Sequence, residues 1–285
     1  MKRSDHVLPN FLIVGAQKCG TTWLASLLRQ HPDVYMPEAE IHFFDKACHY
    51  ARGTDWYERH FAGARDEKAI GEKTPDYFWA NGQGGEGHLP NVHRNIHDVL
   101  PDAKLIVALK NPVERAISAV KHIIRSGRIS PFHKIDDLLV GEKRDLLEGY
   151  GVFEMGKFHT LLEAYLELFG PDQILILVFE EDIVENPSRG LRKVCRFLDI
   201  EPSWKFSNMD AKANAFNSSI LHLTVKYHLP FLSWLSRPLE AFLPAARYTP
   251  GRPVIEHLYR VYEEENKRLF ALLKRQPPES WLPPL

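Results

Sequence analysis

The stretch Gly15-Ala16-Gln17-Lys18-Cys19-Gly20-Thr21-Thr22 gathers the residue types that hold an anion. Glycines let the backbone turn tightly and come close to a ligand. An apolar run, 11–14, precedes the stretch and a helical pattern follows it. The free N–H groups and positive dipole end of that helix therefore face whatever the loop holds. Lys18 adds a full charge, and Thr21 and Thr22 add hydroxyl donors, which together make a phosphate cradle. The spacing is not that of a Walker A loop, where lysine directly follows the second glycine. Here Thr21 follows Gly20 and the lysine comes two residues before it. Taken alone, the loop is also compatible with a plain strand–helix turn carrying an incidental lysine. Cys19 sits beside Lys18 and a helix start, a setting that lowers a thiol pKa. It is expected to be reactive, with oxidation blocking the loop; a small residue that merely fits is the plain alternative.

A loop of this kind needs a strand to deliver it and a helix to receive it. Short apolar runs alternating with helical patterns predict an α/β fold with a central parallel sheet flanked by helices and a P-loop-like nucleotide-binding unit first. Strands are expected over 11–14, 69–72, 104–109 (KLIVAL) and 174–179 (ILILVF). Helices are expected over 21–31, ended by Pro32, and over 90–100. Asn111-Pro112 then supplies a cap and a first-turn proline for a helix carrying the stripe Val113, Ala116, Ile117, Val120 and Ile124. Further helices are expected over 153–169, 187–198 and 254–273, and a surface loop over 82–87. With no repeat and no linker in view, residues 1–285 read as one domain.

The chain has 285 residues with 36 Lys+Arg against 37 Asp+Glu, a formal charge of −1. That balance argues against a nucleic-acid partner held by bulk charge, while allowing a local basic pocket. A composition of 44% hydrophobic and 26% charged residues is that of a globular protein. Cys19, Cys48 and Cys195 cannot all pair, which fits a reducing compartment and excludes a disulfide scaffold or a four-cysteine zinc site. His93 and His97 share a helical spacing with His88 nearby, but nothing fixes a third ligand, so no metal is expected. The apolar stretch 220–244 is broken by Lys226, Arg237, Glu240 and several prolines. It cannot supply the ~20 uncharged residues of a spanning helix, and a cytoplasmic location is expected.

The lysine placed before the second glycine resembles the 5′-phosphosulfate loop of the sulfotransferase family, enzymes that use 3′-phosphoadenosine-5′-phosphosulfate as sulfate donor. Residues 105–118 (LIVALKNPVERAIS) resemble the family's second motif, a strand, loop and helix that grip the donor's 3′-phosphate, with Lys110 and Ser118 at its basic and serine positions. The family has Arg where Lys110 stands; lysine keeps the charge without the bidentate fork. Residues 38–45 (EAEIHFFD), then Asp55-Trp56-Tyr57, then 72–78 (EKTPDYF) are similar to the heparan sulfate branch, both N- and 3-O-acting, in the same order.

The resemblance implies transfer of a sulfuryl group from that donor to a hydroxyl, less readily an amine, of a glycan, glycolipid or other small acceptor. It implies donor contacts at Lys18, Cys19, Gly20, Thr21, Thr22 and Trp23, at Lys110 and Ser118, and at Gly251 and Arg252 in a closing loop where Pro250 replaces the relatives' lysine. It implies Glu40 as general base, though an isolated glutamate is by default a solvated surface carboxylate. Lys18 and Lys73 are the expected cationic clamp. His42 shares a face with Glu40 on extended backbone; it is expected either to orient the acceptor or assist proton transfer, or to be a structural histidine. Asp45 matches an acidic position near the acceptor, or caps the next segment. The cysteine pair that relatives carry before the closing loop is absent, which fits the cytoplasm rather than the Golgi lumen.

Residues 219–248 depart most from the relatives. They are expected to form a helical lid lining the acceptor cleft, or a surface for a membrane or carrier protein, against ordinary helical packing. Two other functions remain open at this point. One is a P-loop kinase or NTPase that needs magnesium and uses Glu180 after ILILVF. The other is a module that holds the nucleotide without chemistry.

Overall fold

The computed structural model describes residues 7–82, 87–209 and 217–283. Its centre is a sheet of five parallel strands in the order β2-β3-β1-β4-β5. These are β1 (Phe11–Gly15), β2 (Val34–Tyr35), β3 (Ala69–Lys73), β4 (Lys104–Leu109) and β5 (Ile174–Val178). The central strands are near-continuous apolar runs because helices cover both faces of a parallel sheet. All of β1 is buried, and so is β4 from its second residue.

Among the described residues the helices are α1 (Thr21–Leu28), α2 (Ala47–Tyr50), α3 (Thr54–Glu58), α4 (Val92–Val99), α5 (Pro112–Arg125), α6 (Ile135–Leu139), α7 (Phe158–Leu166), α8 (Pro187–Phe197), α9 (Ile220–His228), α10 (Ser233–Ser236) and α11 (Arg252–Leu272). The Asn111 side chain caps α5 by accepting from the Val113 and Glu114 N–H groups. A second apolar cluster joins α5, α6 and α11 to Leu223 of α9.

Strand β1 has β3 on one side and β4 on the other. The connections leaving β1 and β4 therefore diverge, and a crevice opens outside their C-terminal ends, the place where open α/β sheets take ligands. Gly15, Lys73 and Leu109 end three adjacent strands at that edge, so the loops carrying Lys18, Lys73 and Lys110 start side by side.

Several expected elements are shorter in the structure. The first helix stops at Leu28 rather than residue 31, because buried His31 turns inward: its Nδ1 accepts the Asp33 N–H at 3.1 Å. The helix expected over 153–169 is a 3-10 turn, Glu154–Gly156, and then α7. The break lies where Gly156 packs on Tyr262 of α11, with room for no Cβ, which would sit 2.8 Å from the ring. Strand β5 ends one residue early and runs into a π-type turn, Phe179–Glu185, with Asp182 Oδ2 accepting the Val178 N–H at 3.0 Å. Of the loop expected over 82–87, residues 83–86 lie outside the described residues.

Candidate active site

A cleft of about 1240 Å³ opens at the strand ends. One wall is the loop between β1 and α1. Gly20 is the N-cap of α1 at φ +85°, and a Cβ there would come within 3.0 Å of the Phe179 ring, so glycine is required for both reasons. Lys18 also has a left-handed backbone, φ +71°, which turns its side chain into the cleft. Thr21, Thr22 and Trp23 line the same wall, and Trp23 Nε1 is tied to Met209 O at 2.8 Å. Lys110 and Ser118 face it from β4 and α5, with the Lys110 ammonium 5.2 Å from the Phe179 ring centre. Below the loop, fully buried Arg115 donates to Gln17 O at 3.3 Å and Val152 O at 2.6 Å, clamping loop to body.

This wall is rich in positive charge. Burial, with the charges of Arg125 and Arg115, lowers the Lys18 ammonium to about 8. Burial beside Lys18, Arg125 and Arg128 holds His122 neutral, at about 4. The cluster of Lys18, Arg125 and Arg128 beside a neutral histidine gives this wall a potential that suits an anion.

The opposite wall is a chain of acids and bases. Lys73, at the end of β3, donates to Glu40 Oε1. The other Glu40 oxygen lies 3.5 Å from His42 Nε2, and His42 Nδ1 is 2.8 Å from Asp45 Oδ2. Burial alone would raise Glu40, but His42 and Lys73 outweigh it and hold the carboxyl at about 2. Burial alone would lower His42, but Asp45 and Glu40 raise it to about 10, so it is an imidazolium at neutral pH.

Two anchors set this wall. Arg29 donates to Met36 O at 3.3 Å and to Pro37 O at 2.5 Å, fixing the approach to Glu40. Beneath it, buried Glu72 accepts from Tyr57 Oη at 2.7 Å, Tyr77 Oη at 2.9 Å and Thr74 Oγ1 at 2.8 Å. Thr74 Oγ1 in turn accepts the His42 N–H at 3.4 Å, and His42 takes a left-handed φ of +54°. His42, Asp45 and Asp76 place ligand atoms within 4.8 Å of one another, and Asp45 Oδ1 is buried without a partner among the described residues.

Residues 8–228 match the model of the Sulfotransferase domain family. The chain belongs to the sulfotransferase family. Human heparan sulfate glucosamine 3-O-sulfotransferase 6 is 44% identical over 193 residues, covering 68% of this chain and 53% of that protein. The membrane-associated sulfotransferase kil1 of Dictyostelium discoideum is 34% identical over 148 residues, 50% of this chain and 29% of that protein. The chain thus spans about half or less of the length of these curated relatives. A sulfotransferase crystal structure from Alicyclobacillus acidocaldarius matches with a TM-score of 0.70 at 25% identity, covering 96% of this chain and 99% of that one.

In this sulfotransferase-family chain one cleft brings together Lys18, Gly20, Thr21, Thr22, Trp23, Glu40, His42, Lys110 and Ser118, with Lys73 reaching it through Glu40. Three expectations come out differently. Cys19 faces the core, fully buried, and burial pushes its thiol up to about 12, so it is inert where a reactive thiol was expected. Gly251 and Arg252 lie off the cleft lining: the Gly251 N–H bonds Asp136 Oδ1 at 3.0 Å, and exposed Arg252 pairs with Glu256 one turn on. Residues 219–248 carry the helices α9 and α10, but none of their described side chains lines the cleft.

Sequence reasoning passed over His122, Arg125, Arg128, Asp76 and Trp79 in the lining. His122 and Arg125 continue the face of α5 that carries Ser118, at spacings of four and three residues, a signal that was available, while Arg128 lies beyond the helix end. Glu180 is spent on structure: it accepts from the Asn111 N–H and from Trp281 Nε1, each at 2.9 Å.

Proposed function

We propose that the chain transfers the sulfuryl group of 3′-phosphoadenosine-5′-phosphosulfate to a hydroxyl, less readily an amine, of a carbohydrate or other small acceptor, with Glu40 as general base. The observation that carries this reading is that one cleft joins a cation-lined anion loop to the Lys73–Glu40–His42–Asp45 chain. The loop N–H groups and Lys18 hold the 5′-phosphosulfate, while Lys110 and Ser118 hold the 3′-phosphate. The acceptor oxygen attacks sulfur in line, its proton passes to Glu40, and the sulfur–oxygen bond to the 5′-phosphate breaks. The products are a sulfate ester and 3′-phosphoadenosine-5′-phosphate.

A carboxylate held at about 2 is a weak base. The pairing itself supplies the remedy. An arriving sulfuryl group competes for the Lys73 ammonium, and as Lys73 turns to it the proton affinity of Glu40 rises toward the useful range. His42 is already protonated, so it acts as a donor that holds Glu40 and stabilises charge rather than as the base. No metal enters the step. Three unpaired thiols fit a cytoplasmic setting, and no helix among the described residues is long and apolar enough to cross a membrane.

The kinase alternative is disfavoured because both Glu180 oxygens are committed and the loop lysine precedes Gly20. A thermal-shift panel tests the choice: 3′-phosphoadenosine-5′-phosphate against ADP, ATP and ATP with magnesium. A ligand at about 100 times its dissociation constant adds roughly 2.7 kcal/mol. Selective stabilisation by the 3′-phosphorylated nucleotide without magnesium is expected; preference for ATP with magnesium overturns the reading. Transfer of labelled sulfate to an oligosaccharide panel then separates an enzyme from a module that only holds nucleotide.

A further inference from the structure

We propose that the helical knob 220–243 is a docking surface for an anionic membrane face. Ten of the eighteen large apolar side chains exposed among the described residues fall in this stretch of the chain. Isolated exposed apolar residues are ordinary, but a cluster of this kind marks an interaction surface. The rings stand far out: Phe242 is 85% exposed, Phe231 71% and Trp234 63%. They come from three consecutive short elements, the turn Pro230–Leu232, α10 and the turn Arg237–Ala241 with the residue after it. Aromatic rings on such a scaffold suit the headgroup region of a bilayer, where Trp and Phe bury their flat faces without crossing it.

Charge selects the partner. Between residues 219 and 248 the chain carries Lys226, Arg237 and Arg247 against one acid, Glu240. The Glu240 carboxylate is turned inward, accepting the Ser219 N–H at 3.2 Å. Basic residues around an apolar patch are attracted to anionic headgroups. The same charges oppose a two-fold dimer through this patch, because an isologous contact brings the patch against itself. The knob is held firmly at its base, where Leu223 is buried in the second core cluster and His222 Nδ1 lies 2.8 Å from Ser236 Oγ.

Its placement joins the surface to the cleft. Gly127, two residues after α5, packs on the Lys226 carbonyl, which would lie 3.1 Å from a Cβ there. Its neighbour Arg128 and nearby Arg125 line the cleft. A knob seated in a bilayer therefore sets the cleft beside the lipid surface, where acceptors that carry a lipid tail are presented.

Co-sedimentation of the full chain with vesicles tests the proposal independently of any transfer activity. The probes are vesicles of phosphatidylcholine alone and vesicles with phosphatidylglycerol added. Binding to the anionic vesicles, weakened by salt and reduced by ~10-fold or more in F231S/W234S/F242S, is the expected result. K226E/R237E/R247E should lose the preference for anionic lipid. Because the three rings are exposed, the first variant should keep the parent's melting temperature and its response to 3′-phosphoadenosine-5′-phosphate. No sedimentation with either vesicle, equal sedimentation of the triple-serine variant, or a concentration-dependent dimer abolished by that variant overturns the proposal.

Discussion

Lys73 and Glu40, thirty-three residues apart in sequence, meet in one ion pair at the cleft wall, the lysine almost wholly buried and the carboxylate one-third exposed. One carboxylate oxygen is thus held by Lys73 and the other lies 3.5 Å from His42 Nε2, while the group as a whole borders the open cleft. Substituting Glu40→Gln keeps the shape and removes the carboxylate proposed as the base. The expected outcome is a fall in kcat of ~10²–10⁴-fold, with affinity for 3′-phosphoadenosine-5′-phosphate nearly unchanged by calorimetry. A fully active variant would remove Glu40 from the role.

Lys18 should give donor affinity a pH dependence. With its ammonium lowered to about 8, the free protein loses this charge as pH rises through that value, and nucleotide binding should weaken above it. Calorimetric titrations from neutral to alkaline pH should show the decline, and Lys18→Arg should flatten it. Lys18→Ala should lower kcat/KM by ~10²–10³-fold, the usual loss on removing one stabilising donor.

The His42 cluster predicts how stability responds to pH. The folded-state value for His42, about 10, lies above its ordinary 6.5, so its contribution is complete below 6.5 and is lost as pH rises through 10. Glu40 works the other way: its contribution is present above 4.5 and is lost as pH falls through about 2. The melting temperature should therefore fall between neutral pH and pH 10. His42→Asn should start lower and show a flatter alkaline limb; an unchanged slope would place the imidazolium elsewhere.

Gly20→Ala should damage fold and site together. The left-handed backbone alone costs an L-residue roughly 1–2 kcal/mol, and the methyl also meets the Phe179 ring. A lower melting temperature together with weakened nucleotide binding is expected, read by the same thermal-shift panel.

Thiol labelling should separate the cysteines by burial. Exposed Cys48 should react with iodoacetamide at once, while Cys19 and Cys195 should react only on unfolding, since both are buried and raised well above an ordinary thiol. Rapid labelling of Cys19 in the folded protein would contradict the packing of the loop.

Strands β1, β4 and β5 were legible because a strand covered on both faces leaves an unbroken apolar run, and α5 because its cap, proline and stripe agree. The two-residue strand β2 has no pattern to read; its pairing to β3 is decided by the turn at His31. In the site, residue type and spacing marked the anion loop, and the family resemblance singled out Glu40, His42 and Lys73. Neither showed which way Cys19 points, since the inward turn of one side chain in a tight loop depends on the backbone angles of its neighbours. The partners of Glu72 were out of reach for a different reason. Thr74 and Tyr77 follow it closely in sequence, but Tyr57 reaches it from α3 only once the chain has folded, and nothing in their spacing marks the three as one set of donors.

The β1–β3 ladder has a dynamic consequence. Ile13 is the register partner of Lys73, and Gly15 ends the strand that leads to Lys18. Lys73 and the root of the Lys18 loop are thus mounted on adjacent rails of one buried ladder, the part of a parallel sheet that opens last in amide exchange. Their spacing should be as slow to change as the protein is to unfold. Adjustment to acceptors of different size then has to come from the lysine side chains, from the segment around Glu40 and from the rim of the cleft, while the backbone from which both lysines spring stays fixed from one turnover to the next.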